Sequence, residues 1–589
     1  MFLVDDAWVR HWHDSHRVMT PTKFRSGILL RMQTLRSHAP AWCGGIVAVA
    51  MALTALTANG GPAASGTSAP PAPLPWISDQ GDGTYRNPVL YADYSDPDAI
   101  RVGNDYWLTA SSFNHVPGLP ILHSRDLVNW TLVNHALPAL VPRGHYAMTL
   151  HGLGVYAPAI RHHDRKFWIF YPDPDFGIYV TTATDPRGKW SDPVLVVEGR
   201  GYIDPCPLWD DDGRAYLICG WAGSRGRRAN LLTLFEMSPD GTKLLGEGKT
   251  VINGRDIGWK VVEGPKLYKR DGWYWVFAPA GGVGSGFQAV YRSRNIRGPY
   301  EHRNVLEQGT TQINGPHQGA WVDTPDGEDW FLHFQKTGPW GRVVHLQPMR
   351  WRDDGWPVIG NDPDNDGKGE PFLTHKKPAL PAQPVAGPAT SDEFDQAEPG
   401  LQWQWEANPR AGWWSLDAKA GSMRLNCVPL ASPNTLADAP NLLLQKFPAP
   451  SFTATTVLRF FPKADGDSAG LIVFGKNYSS VALRQIEGKT QLILTYFRGA
   501  SDGEAMSDTV GIKGHVVYLR VAVSDQAKCR FEWSEDGERF TAIGKREFAA
   551  THLGWVGAKV GIYASASRGS VPSGHAEFDW FRVTPLADR

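Results

Sequence analysis

The stretch Asp271-Gly272-Trp273-Tyr274-Trp275-Val276 joins a polar turn to a short run of aromatic and apolar residues. Turn residues followed by aromatic and β-branched residues are typical of a strand that leaves a hairpin. Four further stretches have the same pattern: Gly103-Asn104-Asp105-Tyr106-Trp107-Leu108, Asp164-Arg165-Lys166-Phe167-Trp168-Ile169, Asp212-Gly213-Arg214-Ala215-Tyr216-Leu217 and Asp326-Gly327-Glu328-Asp329-Trp330-Phe331. The chain therefore contains a fivefold repeat.

The spacing of this repeat indicates the size of its unit. The corresponding aromatic residues, Trp107, Trp168, Tyr216, Trp275 and Trp330, are 61, 48, 59 and 55 residues apart. Each interval is long enough for a four-stranded sheet, and no convincing helical periodicity interrupts it. The repeat predicts an all-β fold with a five-bladed β-propeller over residues 83–375, in which inner strands of different blades converge on a central channel.

Three acids occupy similar positions in three of the repeat units. Asp96 and Asp204 each precede a proline, and Glu263 lies two residues before one. Because proline fixes φ and lacks a backbone donor, an Asp-Pro pair bends the backbone and frees the carboxylate from the sheet. The acids fall in the first, third and fourth units, so each comes from a different blade. We therefore expect them to share one site at the mouth of the channel.

Composition argues against several classes of function. The 589 residues include 59 basic and 60 acidic side chains, a formal charge of -1, so a nucleic acid partner is not expected. The 25 Trp, 24 Phe and 18 Tyr suit packed strands and also stack on sugars. Five scattered cysteines do not form a disulfide framework or a CxxC metal site, so no structural zinc is expected. Cys206 and Cys219 are expected to be buried free thiols.

Residues 1–58 are interpreted as a signal-peptide region. Basic residues between positions 23 and 36 precede an apolar run at 41–58, which ends in small residues suited to cleavage. The chain is therefore expected to be exported, to the periplasm or the cell exterior, without membrane contact after cleavage. A start at Met32 would give a signal peptide of more usual length, so residues 1–31 are hypothesised to lie upstream of the true start. The alternative is a retained transmembrane anchor, for which the run is slightly short.

The rest of the chain divides into linkers and a second domain. Residues 59–82 are rich in Ala, Pro, Gly and Ser and are expected to be a disordered linker, and residues 376–390 form a Pro/Ala linker. Residues 391–589 alternate apolar and polar side chains in short runs, which predicts a β-sandwich. Its expected role is either to bind carbohydrate or to brace the propeller.

The three acids match the needs of glycosidic bond hydrolysis. That reaction needs one carboxylic acid to protonate the leaving oxygen and a second carboxylate to act on water or on the anomeric carbon. A neighbouring like charge favours the protonated form of the acid. Metal-dependent hydrolysis would call for histidine-rich ligand sets, and Ser-His-Asp catalysis for a Gly-x-Ser-x-Gly elbow, and residues 83–375 contain neither.

With these motifs the region from Tyr85 to Pro371 resembles glycoside hydrolase family 43. The resembling motifs, in the family's order, are Asn87-Pro88-Val89-Leu90, Ser95-Asp96-Pro97-Asp98, Ser111-Ser112-Phe113, His123-Ser124-Arg125-Asp126-Leu127-Val128-Asn129-Trp130, Gly154-Val155-Tyr156-Ala157-Pro158, Ile203-Asp204-Pro205, Glu263-Gly264-Pro265 and Gly315-Pro316-His317-Gln318-Gly319. The second domain looks like the concanavalin-like jelly roll that accompanies the β-xylosidase and α-L-arabinofuranosidase branch.

The resemblance implies a role for each matching residue. Asp96 is expected to be the general base, Glu263 the general acid, and Asp204 the carboxylate that tunes and orients that acid. Four further positions are expected to bind substrate: Phe113, Tyr156, Arg342 and His317. The family's usual residue at position 156 is Trp, so the packing there departs from the pattern. No catalytic metal or cofactor is implied, although some relatives hold a structural calcium ion near the residue that corresponds to His317.

The implied activity is hydrolysis with inversion that releases terminal β-D-xylose or α-L-arabinofuranose from xylan- or arabinan-derived oligosaccharides of plant cell walls. The acid and base are then expected to stand roughly 6.5–9.5 Å apart. One alternative is a retaining fructosidase-type propeller, but those enzymes carry Glu-Cys where this chain has Glu263-Gly264. The other alternative is a carbohydrate-binding protein without turnover, which would lack one of the acids. The sequence does not choose between the two pentoses or set the oligomeric state.

Overall fold

The computed structural model describes residues 73–431, 435–499, 502–571 and 574–587. The expected signal-peptide region, with Cys43, lies outside the described residues. The described residues form 37 strands and three short 3-10 helices, His145–Ala147, Gly338–Trp340 and Leu436–Asp438. Within this part of the chain, no helix has the length and apolar character required to cross a bilayer.

Five antiparallel four-stranded sheets follow the short strand β1 (Thr84–Arg86). Blade one contains β2 (Asp98–Val102), β3 (Asp105–Thr109), β4 (Gly118–Ser124) and β5 (Thr131–Leu137). Blade two contains β6 (Ala159–His163), β7 (Lys166–Asp173), β8 (Gly177–Ala183) and β9 (Val194–Glu198). Blade three contains β10 (Tyr202–Trp209), β11 (Ala215–Trp221), β12 (Leu231–Met237) and β13 (Leu244–Asn253).

Blade four contains β14 (Lys266–Arg270), β15 (Trp273–Ala280), β16 (Phe287–Ser293) and β17 (Glu301–Leu306). Blade five contains β18 (His317–Asp323), β19 (Asp329–Lys336), β20 (Arg342–Trp351) and β21 (Pro357–Ile359). First strands of neighbouring blades contact one another in four of the five blade pairs, which makes them the innermost strands of the ring. The predicted five-bladed propeller is confirmed.

The sequence repeat supplies the second strand of every blade. Its aromatic residues are almost completely buried, with Trp107 and Trp275 each 3% exposed. Between blades four and five, Trp275 and Phe331 of these second strands share one apolar cluster with Trp356. Burying such large rings between blades is a major source of stability, because apolar burial contributes about 25 cal/mol per Å².

The ring closes without a strand shared between the first and last blades. Strand β22 (Thr374–Lys376) pairs antiparallel with β1 over three residue pairs. Next to this pair, the side chain of Asn87 donates to the carbonyls of Leu346 and Phe372, each at 2.8 Å, and accepts from the Leu346 N–H at 2.8 Å. These bonds join the start of blade one to blade five and thereby hold the first and fifth units together.

The second domain is a sandwich of two antiparallel sheets. One sheet contains, in spatial order, β23 (Gln404–Trp405), β27 (Leu443–Lys446), β36 (Lys559–Ala566), β29 (Ser468–Phe474), β30 (Tyr478–Ile486), β31 (Lys489–Phe497) and β32 (Glu504–Gly511), with β26 (Val428–Pro429) parallel to β36. The other contains β24 (Trp414–Asp417), β25 (Ser422–Asn426), β37 (His575–Pro585), β28 (Phe452–Phe461), β33 (Val516–Val523), β34 (Lys528–Ser534) and β35 (Thr541–Ala549).

The sandwich is firmly joined to the propeller. Its main apolar core continues into the propeller through Trp340 and Val343. Trp340 Nε1 donates to the carbonyl of Ala449 at 2.8 Å, and the backbones of Val116 and Trp405 exchange hydrogen bonds of 3.0 and 2.7 Å. Of the two roles expected for the sandwich, these contacts support bracing of the propeller.

The predicted disordered linker at 59–82 is too long, because its last ten residues, 73–82, pack against the propeller. Residues 73–82 are described, and Trp76 Nε1 donates to the carbonyl of Pro88 at 2.9 Å. The Trp76 ring also lies 4.8 Å from that of Tyr91, and Ser78 and Asp79 are buried. This segment is packed because an aromatic ring and two hydrogen-bonding side chains find partners on the propeller. In contrast, the expected linker 376–390 contains no strand after Lys376.

Cys206 and Cys219 are buried free thiols, as expected, and Cys427 and Cys529 are also buried and free. Cys206 and Cys219 lie on adjacent strands of blade three but belong to different apolar clusters.

Candidate active site

Two of the three acids lie on backbone that ordinary residues avoid. Asp96 has a φ of 54° and Asp204 a φ of 55°. Non-glycine residues rarely take positive φ, and where they do the strain is often associated with a functional site. Asp96 stands two residues before β2, Asp204 lies inside β10, and Glu263 stands three residues before β14. The acids therefore come from blades one, three and four, as the repeat predicts.

Asp96 is held by a hydroxyl and a cation. It is 5% exposed, and its Oδ2 accepts a hydrogen bond from Ser111 Oγ at 2.7 Å. Its Oδ1 is ion-paired with Arg342 Nη1. A buried carboxylate needs such partners to remain charged, and here they also fix the direction in which it points.

Asp204 lies where strand pairing is interrupted. A register shift between Ile203 and Cys206 breaks the ladder between β10 and β11. Asp204 Oδ2 accepts a hydrogen bond from the backbone N–H of Gly264 at 2.8 Å. Burial, and next the charges of Glu263 and Asp96, raise the pKa of Asp204 to about 7. The three carboxylates are therefore near enough to repel one another, as expected of a single site.

Glu263 is the most accessible of the three acids. Its side chain is 27% exposed, and its Oε1 lies 3.0 Å from His317 Nε2. Its backbone N–H donates to the carbonyl of Pro279 at 3.3 Å. A carboxyl group that is oriented by the protein and open to solvent can exchange a proton with a bound substrate.

Arg342 begins β20 and connects the acids to the sandwich. Besides its ion pair with Asp96, its guanidinium lies 4.7 Å from the Phe334 ring and 5.7 Å from the Trp555 ring. Trp555 belongs to the sandwich and is 41% exposed. A Cβ added to Gly152 of the propeller would lie 3.9 Å from Trp555. The second domain therefore places an exposed aromatic ring beside the site.

Phe113 and Tyr156 contact each other, with ring centroids 5.4 Å apart and ring planes 69° apart. Residue 113 has a φ of 52° and forms a bridge with Val155. Tyr156 Oη donates to the carbonyl of Gly152 at 2.7 Å, and burial raises the pKa of Tyr156 to about 12. Tyr156, which stands where Trp is expected, is therefore neutral and held by a hydrogen bond to Gly152. Gly152 in turn lies next to Trp555.

The surroundings of His317 bear on the expected calcium ion. His317 is fully buried, one ring nitrogen faces Glu263, and Nδ1 has no hydrogen-bond partner among the described side chains. Within the described residues, the side chains of Asp362, Asp364 and Asp366 form a cluster of possible metal ligands, and this cluster does not include His317. Calcium prefers six to eight oxygen ligands. The side chains around His317 therefore do not form a calcium site by themselves, and calcium there stays a prediction.

Asp98, the other acid of the first motif, is used elsewhere. It is fully buried, and its Oδ2 binds Arg161 Nη1 at 2.7 Å and accepts from the Ile160 N–H at 2.8 Å. This ion pair joins blades one and two, so Asp98 does not compete with Asp96 for the site.

Comparisons with known proteins agree with this geometry. The model for "Glycosyl hydrolases family 43" matches residues 85–357, and the model for "Beta xylosidase C-terminal Concanavalin A-like domain" matches residues 391–584. A protein named "Beta-xylosidase" from Formosa agariphila is 33% identical over 560 residues, covering 85% of this chain and 90% of that protein. The chain belongs to glycosyl hydrolase family 43.

Other family 43 proteins differ in the activity that they are named for. A "Non-reducing end alpha-L-arabinofuranosidase" of Bacteroides ovatus is 29% identical over 520 residues, covering 85% of this chain and 94% of that protein. The crystal structure of a xylan beta-1,4-xylosidase from Bacillus halodurans has a TM-score of 0.75 at 26% identity, covering 85% of this chain and 99% of the other. This family 43 protein is a glycosidase, and the predicted family and concanavalin-like second domain are confirmed.

Three residues beside the carboxylates are not singled out by the sequence analysis. Ser111 and Gln318 lie within motifs that carry the family resemblance, and Gln318 Nε2 stands 3.5 Å from Asp204 Oδ1. Those motifs were a usable signal. No sequence motif pointed to Trp555, because it lies in a sandwich loop that is distant in sequence from all three acids.

Proposed function

We propose that this family 43 glycosidase removes terminal β-D-xylose or α-L-arabinofuranose from plant cell-wall oligosaccharides by single displacement with inversion. The observation that carries the proposal is the cluster of three carboxylates, which lie close enough that, besides burial, the charges of Glu263 and Asp96 raise the pKa of Asp204 to about 7. Inverting hydrolysis needs both a carboxylate and a carboxylic acid in one pocket.

In this proposal Asp96 is the general base. Ser111 and Arg342 hold its two oxygens in place, so that the carboxylate can orient and deprotonate a water molecule. The same Arg342 can donate to a hydroxyl of the sugar, because a guanidinium has five N–H donors and Asp96 uses few of them. The acid and base are expected to stand roughly 6.5–9.5 Å apart, which leaves room for that water.

Glu263 is the general acid and Asp204 the group that orients it. Glu263 faces His317, and the adjacent Gly264 N–H is bound by Asp204, so both sides of the acid are fixed. Phe113 and Tyr156 contact each other, and Trp555 lies 5.7 Å from the Arg342 guanidinium, so we expect this aromatic side of the site to contact the pentose ring. The names of the two relatives above support the substrate class but do not choose between the pentoses.

The test is hydrolysis of p-nitrophenyl β-D-xylopyranoside and p-nitrophenyl α-L-arabinofuranoside, with the first-formed anomer followed by NMR. We expect release of p-nitrophenol from at least one substrate, and from the β-xyloside we expect α-xylose first. First formation of β-xylose would contradict inversion, and absence of turnover on both substrates would contradict the pentosidase assignment.

The acid role has its own test in Glu263→Gln. We expect turnover of xylobiose to fall about 10²- to 10⁴-fold, because its sugar leaving group needs a proton. The 2,4-dinitrophenyl xyloside should be much less affected, since dinitrophenolate leaves without one. An equal loss on both substrates would contradict the assignment of Glu263 as the acid.

The proposed place of action is outside the cytoplasm. Support comes from the basic residues, apolar run and small residues of positions 23–58. N-terminal sequencing of the protein recovered from culture medium or periplasm should give a start after residue 58. Recovery of the full apolar run with the membrane fraction would instead favour an anchor.

A further inference from the structure

Asp93 is a buried acid that the proposed mechanism does not use. It is 5% exposed and stands three residues before Asp96. Its Oδ1 accepts hydrogen bonds from Ser95 Oγ at 2.8 Å and from the Arg342 backbone N–H at 2.9 Å. Its Oδ2 accepts a third, from the Gly557 backbone N–H at 2.8 Å. A carboxylate with three such donors is firmly oriented.

The three donors come from three different parts of the site. Ser95 directly precedes Asp96, and the guanidinium of Arg342 is ion-paired with Asp96. Gly557 belongs to the sandwich, two residues after Trp555. One side chain therefore joins the backbone before the base, the strand that carries the arginine, and the loop that brings the tryptophan.

Close packing leaves little freedom at this junction. A Cβ added to Gly341 would lie 2.3 Å from Asp93 Cγ, and one added to Gly557 would lie 2.7 Å from the Gly341 nitrogen. Only glycine at both positions allows such an approach. A substitution at Gly557 of the sandwich is therefore expected to displace Gly341 and Asp93 of the propeller, because close-packed protein interiors transmit displacements.

Nearby cations give Asp93 a second role as a charge partner. Burial lowers the pKa of the buried Lys559 and of the partly buried Lys446, and the charge of Asp93 opposes that shift in each. The remaining buried acid of this interface, Glu406, is already bound to Lys559. Replacing Asp93 by a neutral residue would therefore remove one of two anions that compensate two cations.

We propose that Asp93 is a positioning residue that ties the sandwich loop 553–557 to the Asp96–Arg342 pair, so that the geometry of the active site depends on the docked sandwich. This inference rests on the proposed function for its catalytic consequence. The physical link itself is independent of which glycoside the enzyme cleaves.

The main variant is Asp93→Asn. Its oxygen can keep the bonds to Ser95 and Arg342, but its NH₂ group then faces the Gly557 N–H, donor against donor. We expect kcat to fall about 10- to 100-fold with a smaller change in KM, because misplacing reacting groups by about 1 Å costs up to this much. The matched control is Asp467→Asn, since Asp467 is also buried but, among the described residues, its side chain accepts hydrogen bonds from the backbone N–H groups of Lys463 and Ala464 of the sandwich. It should lose stability and keep kcat.

A second variant tests the link from the sandwich side. Gly557→Ala adds the Cβ that meets Gly341, without changing any group of the proposed mechanism. Hydrogen exchange followed by mass spectrometry should show faster exchange of the propeller peptide around residues 342–344 in both Gly557→Ala and Asp93→Asn. If Asp93→Asn does not fold, Gly557→Ala alone tests whether the sandwich loop is linked to Arg342.

Wild-type kcat in both variants, or unchanged exchange around Arg342 in Gly557→Ala, would overturn the proposal. If the wild-type enzyme cleaves neither aryl pentoside, the proposed function fails, and the exchange experiment still decides whether the link exists.

Discussion

Asp96 combines a left-handed backbone with a hydroxyl and a cation that hold its two oxygens. Asp96→Ala is expected to lower kcat by at least about 10³-fold on either aryl pentoside, because the attacking water loses its base. Circular dichroism should show a folded protein. Asp164→Ala, which changes an exposed acid in the turn between β6 and β7, is the control and should keep full activity. An Asp96→Ala enzyme with substantial turnover would refute the assignment.

Asp204 makes stability depend on pH in a direction opposite to that of most acids. Its pKa is raised to about 7 in the folded protein, above its ordinary value of 3.8. Between these values the unfolded chain releases a proton that the folded protein retains, so stability falls as pH rises from about 4 to 7 and levels off above. Asp204→Asn lacks this charge and can still accept the Gly264 N–H.

We therefore expect Asp204→Asn to be more stable than the wild type by about 2–4 kcal/mol at pH 8 and nearly equal to it at pH 4. Urea unfolding at several pH values measures the difference. If the difference in unfolding free energy between Asp204→Asn and the wild type grew toward low pH, the raised pKa of Asp204 would be contradicted. Activity should fall in the same variant.

At this scale the sequence predicted the acids better than their neighbours. Asp96, Asp204 and Glu263 could be found because each stands next to a proline or glycine at the start of a strand. The partners of Asp98 could not be found, because Arg161 is a neighbour only once blades one and two are side by side. His317 was expected to bind substrate, and the structure shows that it contacts Glu263, which leaves its part in binding untested.

At the scale of elements, the loop between β35 and β36 carries Trp555 to the site. Trp555→Ala is expected to raise KM for a pentoside several-fold and to lower kcat less, because the ring offers surface to the bound sugar but touches no carboxylate. Stability should change little, since the ring is 41% exposed. Initial rates over a range of substrate concentrations separate the two parameters. An unchanged KM would place Trp555 outside the binding pocket.

The blades were predictable as elements because their second strands share one pattern, and burial explains why. Trp107, Trp168, Tyr216, Trp275 and Trp330 all lie at the second or third position of the second strand in successive sheets. The packed segment at 73–82 was not predictable, because its Pro- and Gly-containing composition resembles a linker and only Trp76 indicates otherwise. The order of strands in the sandwich was likewise hidden, since β37 at the end of the chain pairs with β25 and β28.

For the whole molecule, a buried ion pair stabilises the contact between the two domains. Lys559 Nζ lies 3.1 Å from Glu406 Oε1, and Asn114 of the propeller donates to Glu406 Oε2 at 3.2 Å. Burial alone would raise the pKa of Glu406, but Lys559 and next His115 hold it well below its usual value. Glu406 therefore stabilises the fold above its ordinary pKa of 4.5, and this contribution is lost as pH falls below that value.

Glu406→Gln is expected to lower the free energy of unfolding by about 3–5 kcal/mol at pH 7, because it deprives the buried Lys559 of the carboxylate that it contacts directly. The double variant Glu406→Gln/Lys559→Met should recover part of this loss, since neither charge remains. Urea unfolding of the two single variants and the double variant gives the coupling energy. Additive losses would mean that the pair is not coupled.

The pairing of β1 with β22 brings the two ends of the blade ring together. A short peptide joining residue 376 to residue 84 would make the propeller a closed loop of chain, which could then be cut anew at an exposed outer turn such as Asp212-Gly213. In such a circular permutant, the sandwich would be an internal or an amino-terminal domain. Blade order around the axis would survive, because no sheet borrows a strand from another.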